Sequence, residues 1–350
     1  MQAYDLYLKG RELYNRYDEP SLVAARDLFE QAIAIDPGYA LAWAGVADCY
    51  GQLMQWSATA DPEVLLAKGL EAAERAIALD PRLPEGYKAK ALNLSRGGRP
   101  GESEAVLRQA LEVDPRFAPA LLNLCVDRMA KADVAGAERY ARGAIEIDPQ
   151  EAFAMLWLSW ICECTLRDEE SERWARRGRE CGAGPFYLNA SYTSLAVTAY
   201  NRGDCAALAE LLLAARAAHV REEECHSIEA AIAQLDNRPE EARRLLAALD
   251  PSVRMVAGGL QLAARIACRR GDVEAARGLM SQSLMFDLAH TVLRLDPALH
   301  AVLDAAPFAP RVREAALVWP LEAPMLLPSV HALWREVRIE SGLAPGSVTH

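Results

Sequence analysis

Apolar residues recur at intervals of three and four along most of the chain, which is the pattern of helices that bury one face. Four of these segments end in nearly the same way, with "EQAIAIDP" at 30–37, "ERAIALDP" at 74–81, "RQALEVDP" at 108–115 and "RGAIEIDP" at 142–149. The closing prolines are therefore 44, 34 and 34 residues apart. A period of 34 residues is typical of solenoids built from helix–turn–helix units. The pattern predicts a stack of helix pairs.

The repeated Asp-Pro step marks the end of a helix in each block. The residue before a proline is pushed out of helical backbone angles, and proline has no N–H to continue the hydrogen-bond ladder. An aspartate at such a position also has a local structural role, because its carboxylate can accept hydrogen bonds from nearby backbone amides. We therefore interpret these aspartates as structural rather than catalytic.

Large and small side chains alternate within the blocks as closely crossing helices require, since small residues allow the approach and large ones fill the gap. The matching residues on first helices include Trp43, Val46, Ala47 and Tyr50, and those on second helices include Ala25, Phe29, Ala32, Ala137, Ala141 and Ala144. Over residues 3–185 the chain resembles the tetratricopeptide repeat (TPR) family. The resemblance implies an all-α fold: a right-handed α-solenoid of antiparallel helix pairs, the TPR superhelix.

The repeats predict three parts. Residues 1–185 hold well-matched TPR repeats, about five helix pairs. Residues 186–284 read as degenerate TPR-like pairs at 187–201 with 204–219, 223–235 with 239–249, and 253–269 with 272–284. Residues 285–350 read as a C-terminal capping segment with a frayed tail. The ten-residue excess of the second block is assigned to a longer turn around "QLMQWSATADP".

Charge and hydropathy limit the partners. The formal net charge is −11 and the isoelectric point about 5.2, which argues against nucleic acid as a partner. An acidic balance favours a basic or apolar partner and is also ordinary for a soluble protein. No apolar run reaches the roughly 18 residues of a membrane span. A cytoplasmic protein with no membrane partner is expected.

Signatures of chemistry are missing from the sequence. The eight cysteines contain no C-x2-C pair, so no metal site is expected and the thiols are interpreted as structural. The glycine-rich "SRGGRPGES" lacks the Gly-Lys-Ser/Thr of a phosphate-binding loop. The chain is predicted not to be an enzyme and to need no cofactor.

The candidate binding surface is the face of the first helices that the packing pattern leaves unused. At about 100° per residue, this face lines the concave groove of such a solenoid. The apolar part of the groove could hold a partner peptide on aromatic anchors, or a neighbouring repeat or the C-terminal segment could cover it. The predicted groove residues are Lys88, Leu92, Arg96, Leu122, Asn123, Val126, Phe153, Leu156, Trp157 and Trp160.

Some TPR domains clamp the terminal carboxylate of a partner with lysine, asparagine and arginine on this face. Lys88 and Asn123 match two positions of that clamp, whereas Leu92, Phe153 and Trp157 stand where polar residues are needed. A clamp for chaperone tails is therefore not expected. Lys88 and Arg96 are interpreted as a solvated stripe.

The N-terminal segment adds a context. "AYDLYLKGRELYNR", followed by "ARDLFEQAIAIDPGYALAWAGVADCY", resembles the start of the TPR region in bacterial regulators, where it follows an adenylate cyclase or a winged-helix domain. The resemblance implies a non-enzymatic scaffold or sensory module that binds a protein or peptide segment and serves a fused or separate effector domain. A regulator that senses a small molecule or short peptide inside the superhelix is the alternative. The apolar segment 317–334 is predicted to pack toward the groove or the last helix pair.

Overall fold

The computed structural model describes residues 2–57, 60–130, 133–165, 167–182 and 184–249, together with 262–267, 270, 272 and 275–276. Within these residues no strand occurs, and fourteen α-helices are defined. They are α1 Gln2–Tyr14, α2 Glu19–Ile35, α3 Ala40–Trp56, α4 Pro62–Leu79, α5 Pro84–Arg96, α6 Pro100–Val113, α7 Ala118–Ala130, α8 Val134–Ile147, α9 Ala152–Cys164, α10 Asp168–Cys181, α11 Pro185–Arg202, α12 Cys205–Ala217, α13 Glu222–Leu235 and α14 Pro239–Ala247.

Consecutive helices pack in antiparallel pairs, which confirms the predicted all-α solenoid of TPR type. The chain divides into two compact units. Unit 1 comprises residues 1–127, 139–154 and 183–186, and unit 2 comprises residues 128–138, 155–182 and those from 187 onward. These two units do not test the predicted division into well-matched, degenerate and capping parts, which stays a prediction. Its capping segment, the segment 317–334 and most of the pair at 253–284 lie outside the described residues.

The Asp-Pro steps end helices as predicted, and they do so with one geometry. Asp36 and Asp80 follow the last residues of α2 and α4 with extended backbone angles. In each case the Asp Oδ1 accepts a hydrogen bond from the amide two residues later, at 3.0 Å for Asp36 and 2.9 Å for Asp80. Asp114 and Asp148 repeat this contact at 2.9 Å. The carboxylates therefore serve the turns between pairs.

The first helices of unit 1 meet around a buried phenylalanine. Phe29 on α2 is fully buried. A Cβ added to Gly10 on α1 would lie 2.5 Å from Phe29 Cε1, and a Cβ added to Gly45 on α3 would lie 2.9 Å from the same ring. Glycine at both positions therefore allows α1 and α3 to close on the two faces of one aromatic side chain.

The ten extra residues of the second block lie mostly in helix, so the prediction of a longer turn was wrong. Helix α3 has 17 residues and α4 has 18, against 13 and 14 for α5 and α6. The intervening turn, residues 57–61, is only two residues longer than the turn at 97–99. Each of the two helices is about one turn longer than its counterpart, and in α3 the extra turn is possible because its last residues contain no proline or glycine after Gly51. The added turn of α3 carries Trp56 itself.

Unit 2 is held by small buried polar contacts as well as by apolar packing. Ser159 Oγ on α9 donates to the backbone oxygen of Ser171 on α10 at 3.0 Å. Arg167, just before α10, pairs with Glu138 at 2.7 Å and with Glu170 at 3.0 Å. Later in this unit, α11 to α14 begin and end within two residues of the helices predicted between 187 and 249.

Candidate functional site

A buried ion cluster lies on the first helices of three successive pairs in unit 1. Asp48 on α3 accepts from Lys88 Nζ on α5 and, at 3.4 Å, from Arg11 Nη1 on α1, and both contacts reach the same oxygen, Oδ2. The side chains of Asp48 and Lys88 are 3% and 10% exposed, whereas that of Arg11 is 34% exposed. The cluster is therefore buried at its acidic centre and open to solvent at Arg11.

Helical spacing explains why these groups meet. Tyr7, Arg11 and Tyr14 are separated by four and three residues, so they share one face of α1. Asp48 and Gln52 are four residues apart and share one face of α3. Gln52 Nε2 donates to the hydroxyl oxygen of Tyr14 at 3.3 Å, and the Arg11 guanidinium lies 4.8 Å from the centre of the Tyr14 ring. The two helices thus bring one polar stripe each to the cluster.

The surroundings keep both tyrosines protonated. Burial raises the pKa of Tyr7 to about 12, against the opposing charge of Arg11 and with a further rise from Asp48. Burial also raises the pKa of Tyr14 well above its usual value, and Asp48 again adds to the rise. Both phenols are therefore neutral hydrogen-bonding groups at physiological pH.

One oxygen of the cluster has no hydrogen-bond donor. Asp48 Oδ1 is buried, and no group among the described residues donates a hydrogen bond to it. A buried acceptor without a donor costs roughly 1–3 kcal/mol. The two cations contact Oδ2, and Arg11 is the member of the cluster that a partner can reach, since its side chain is 34% exposed.

A group of four rings, here called the aromatic cluster, lies in the same unit. It consists of Tyr17 after α1, Trp56 at the end of α3, and Phe153 and Phe186 near the starts of α9 and α11. Tyr17 stacks on Phe153 with ring centres 5.8 Å apart and planes 12° apart, and it lies 5.0 Å from Phe186. Phe186 also lies 6.4 Å from Trp56, edge to face. All four rings are only partly buried.

Tyr14 joins the two groups, since its ring centre lies 5.8 Å from that of Tyr17. Together they form a continuous polar–aromatic strip, defined by Arg11, Tyr14, Asp48, Gln52 and Lys88 with the aromatic cluster. One end offers charge and hydrogen-bonding groups, and the other offers partly exposed apolar rings. Such a combination suits a ligand that carries both polar backbone groups and apolar side chains.

The predicted groove residues fall in both units. Lys88 and Phe153 belong to the strip. The interpretation of Lys88 as part of a solvated stripe was wrong, because its ammonium group is buried against Asp48. Arg96 is half-buried, not freely solvated.

The remaining predicted residues of unit 1 serve its packing. Leu92 is buried, and a Cβ on Gly51 would lie 2.9 Å from its Cγ. Leu122 is buried in a small apolar group with Ala144 and Ala154. Asn123 and Val126 on α7 are half-buried, and Asn123 Nδ2 donates to the backbone oxygen of Pro119 at 2.8 Å.

The last three predicted residues belong to unit 2 and are buried. Leu156 is fully buried, and Trp157 and Trp160 are 1% and 2% exposed. The two indole rings meet edge to face with centres 5.1 Å apart. In this conformation they are packing residues, and their use as anchors for a partner stays a prediction.

Sequence reasoning did not find Arg11, Asp48, Tyr17, Trp56 or Phe186. One local signal was available: Asp48 is a charged residue in the otherwise apolar stretch "ALAWAGVADCYGQL". A buried carboxylate needs partners, so its position predicts cations on the neighbouring first helices. The aromatic cluster gives no such local signal, because its members come from turns and helix ends far apart in the chain.

Among the residues that the structure describes, no group of three or more His, Cys, Asp or Glu side chains is arranged to hold a metal ion. In the same part of the chain, none of the helices combines the length and the apolar character needed to cross a bilayer. The six cysteines with described side chains form no disulfide with one another.

Comparison with known proteins identifies the fold. No family model and no curated protein matches the chain in sequence. The Cut9–Hcn1 hetero-tetramer of the APC/C contains a chain that is 12% identical with a TM-score of 0.55, over 89% of this chain and 55% of that one. TTC0263, a TPR protein of Thermus thermophilus, is 20% identical over 51% of this chain and 90% of its own, with a TM-score of 0.43. The fold is the α-solenoid of TPR proteins, and this chain spans about half the length of the Cut9–Hcn1 chain.

Proposed function

We propose that this protein is a non-enzymatic protein–protein interaction module that binds a peptide segment of its partner along the polar–aromatic strip. The observation that carries the proposal is a partly exposed arginine, Arg11, which pairs with the buried Asp48 and lies over the Tyr14 ring, whose centre is 5.8 Å from that of Tyr17 in the partly exposed aromatic cluster.

A peptide provides complementary groups for both ends of the strip. A backbone carbonyl of the peptide can accept a hydrogen bond from the exposed side of Arg11. An apolar side chain a few residues away can pack on the aromatic cluster. Binding sites of this kind concentrate their affinity in a few aromatic and arginine contacts. The site thus predicts recognition of an extended segment through its backbone and one anchor side chain.

The cellular role in the proposal follows the resemblance of the N-terminal segment to bacterial regulators. The module is proposed to act in the bacterial cytoplasm as the sensory or scaffolding part of a signalling protein, with an effector domain that is fused to it or separate. Neither a nucleic acid nor a membrane is proposed as a partner, in keeping with the net charge of −11.

The proposal can be tested with peptides selected on the wild-type protein from a random display library. Fluorescence anisotropy would then measure their Kd for wild type, Arg11→Ala and Phe153→Ala. Each substitution should weaken binding roughly tenfold or more, as expected for central contacts of an interface. Arg108→Ala is the matched control, because Arg108 is 61% exposed and pairs with Glu104 on its own helix. It should bind like wild type.

Two outcomes would contradict the proposal. One is a selection that yields no binding peptide. The other is a set of peptides whose affinity is the same for Arg11→Ala, Phe153→Ala and Arg108→Ala. A melting-temperature screen that instead finds a stabilising metabolite would favour the alternative function, a sensor of small molecules.

A further inference from the structure

The turn within the first helix pair holds an aromatic residue at a positive φ, where the turns within three later pairs hold glycine or asparagine. His219, between α12 and α13, is a further residue with a positive φ, of 58°. Tyr17 lies two residues before α2 and has a φ of 54°. The residues two places before α6, α12 and α14 are Gly98, Gly203 and Asn237, with φ values of 75°, 71° and 57°. This left-handed conformation is easy for glycine, accessible to asparagine and unfavourable for a bulky residue.

The ring contacts of Tyr17 explain why a tyrosine occupies a position whose φ is unfavourable for it. Its ring lies against Phe153 and Phe186, which are 136 and 169 positions later in the chain. Asp18, the next residue, caps α2 through a hydrogen bond from the Ser21 amide at 2.8 Å. The turn and the cap are thus complete without an aromatic side chain at 17. The ring contacts Phe153 and Phe186, and also Tyr14.

The contact of Tyr17 with Phe153 and Phe186 resembles that of a bound ligand more than the packing of a buried core. The rings of Tyr17, Phe153 and Phe186 are partly exposed, unlike the fully buried Phe29 of the same unit. Stacking on Phe153 and a tilted approach to Phe186 are the geometries that aromatic pairs prefer. The left-handed φ of Tyr17 is a cost that this arrangement carries, and a ring supplied by another molecule would not carry it.

We propose that Phe153, Phe186 and Trp56 form a binding site for an aromatic side chain, and that Tyr17 is its internal occupant. A partner segment binds by placing its own tyrosine or a similar ring in the position of Tyr17, which then leaves the site. The inference rests on the proposed function, and it adds the anchor side chain of the partner and a competitor within the chain. The apparent affinity for the partner is proportional to the fraction of molecules in which Tyr17 has left the site.

The test supplies the segment around Tyr17 as a separate peptide, which serves as the probe. The probe is a synthetic peptide of residues 12–21, ELYNRYDEPS, and the control peptide is the same sequence with both tyrosines, those of positions 14 and 17, replaced by alanine. Saturation-transfer NMR, which detects weak binding, measures both peptides against wild type, Tyr17→Gly and Tyr17→Phe. Glycine removes the ring and tolerates the left-handed turn, whereas phenylalanine keeps the ring.

The probe should bind Tyr17→Gly at least tenfold more tightly than wild type or Tyr17→Phe, because only the glycine variant leaves the site open. The control peptide should bind none of them. Equal binding of the probe to all three proteins, or no binding to Tyr17→Gly, would overturn the inference. Tyr17→Asn repeats the test with the residue found at position 237, in case circular dichroism shows the glycine variant to be unfolded.

The two proposals fail in different ways. A display selection without any binding peptide contradicts the proposed function, whatever the probe does. Selected peptides that bind wild type and Tyr17→Gly equally well leave the proposed function intact and contradict the role of Tyr17. Support for both requires selected peptides that contain an aromatic residue and bind Tyr17→Gly more tightly than wild type.

Discussion

Replacing Asp48 with alanine removes the centre of the buried ion cluster. Lys88 would then keep a positive charge in a position where its side chain is 10% exposed, with its bonded partner gone. Arg11 is affected less, because a third of its side chain is open to solvent. Breaking a buried ion pair from one side typically costs about 3–5 kcal/mol. We expect a loss in that range for Asp48→Ala, a large part of the stability of an ordinary domain.

The same cluster should contribute little stability as a whole. Replacing a buried pair by apolar residues of similar volume is often neutral, or stabilising by about 1–4 kcal/mol. The double variant Asp48→Leu with Lys88→Met should therefore be markedly more stable than Asp48→Ala. If it also loses affinity for a selected peptide, the cluster is present for binding rather than for folding.

Urea titration followed by circular dichroism measures both variants against wild type. We expect the unfolding midpoint of Asp48→Ala to lie at a much lower urea concentration than that of wild type. The midpoint of the double variant should be close to that of wild type. A double variant as unstable as Asp48→Ala would refute this expectation, since the loss would then come from packing around Asp48. An Asp48→Ala variant as stable as wild type would show that Lys88 is not buried against the carboxylate.

Three further predictions concern packing, pH and thiols. Gly10→Ala places a methyl group 2.5 Å from the Phe29 ring; it should lower the melting temperature, and adding Phe29→Leu to it should restore part of the loss. Burial, with a further effect of Asp148, raises the pKa of Glu151. The folded state therefore binds a proton there more tightly than the unfolded state, and the stability from this group is lost as the pH rises through the folded pKa. Glu151→Gln should thus melt higher than wild type at pH 7, with no difference once the pH falls below about 4. Cys181 is the exposed thiol among the described cysteines and should be alkylated first under native conditions, as mass spectrometry of time points can show; earlier labelling of a buried cysteine would contradict the packing.

The local features of the repeats could be predicted from the sequence because local rules determine them. Asp36 and Asp80 illustrate this: the following proline ends the helix, and the carboxylate has a backbone amide two residues away. The excess of the second block shows the limit of such rules. The spacing of the prolines shows that the block has ten extra residues, but ten residues can lengthen either a turn or the two helices.

The candidate site could be predicted only in part, for a physical reason. The face of Lys88 and Phe153 follows from helical periodicity, which places residues relative to their own helix. The partners of these residues follow from how successive pairs stack. Asp48 contacts Lys88, which lies 40 positions later in the chain, and Tyr17 contacts Phe153, which lies 136 positions later. No local pattern encodes such distances along the chain.

The most direct test of the central claim is to locate a bound peptide on the protein. Hydrogen–deuterium exchange of the wild-type chain, with and without a selected peptide, reports protection along the whole sequence. The account predicts slower exchange in α1, α3 and α5 and in the first turns of α9 and α11, the helices that carry the polar–aromatic strip. Protection confined to α2, α4 and α6, or to unit 2, would contradict it.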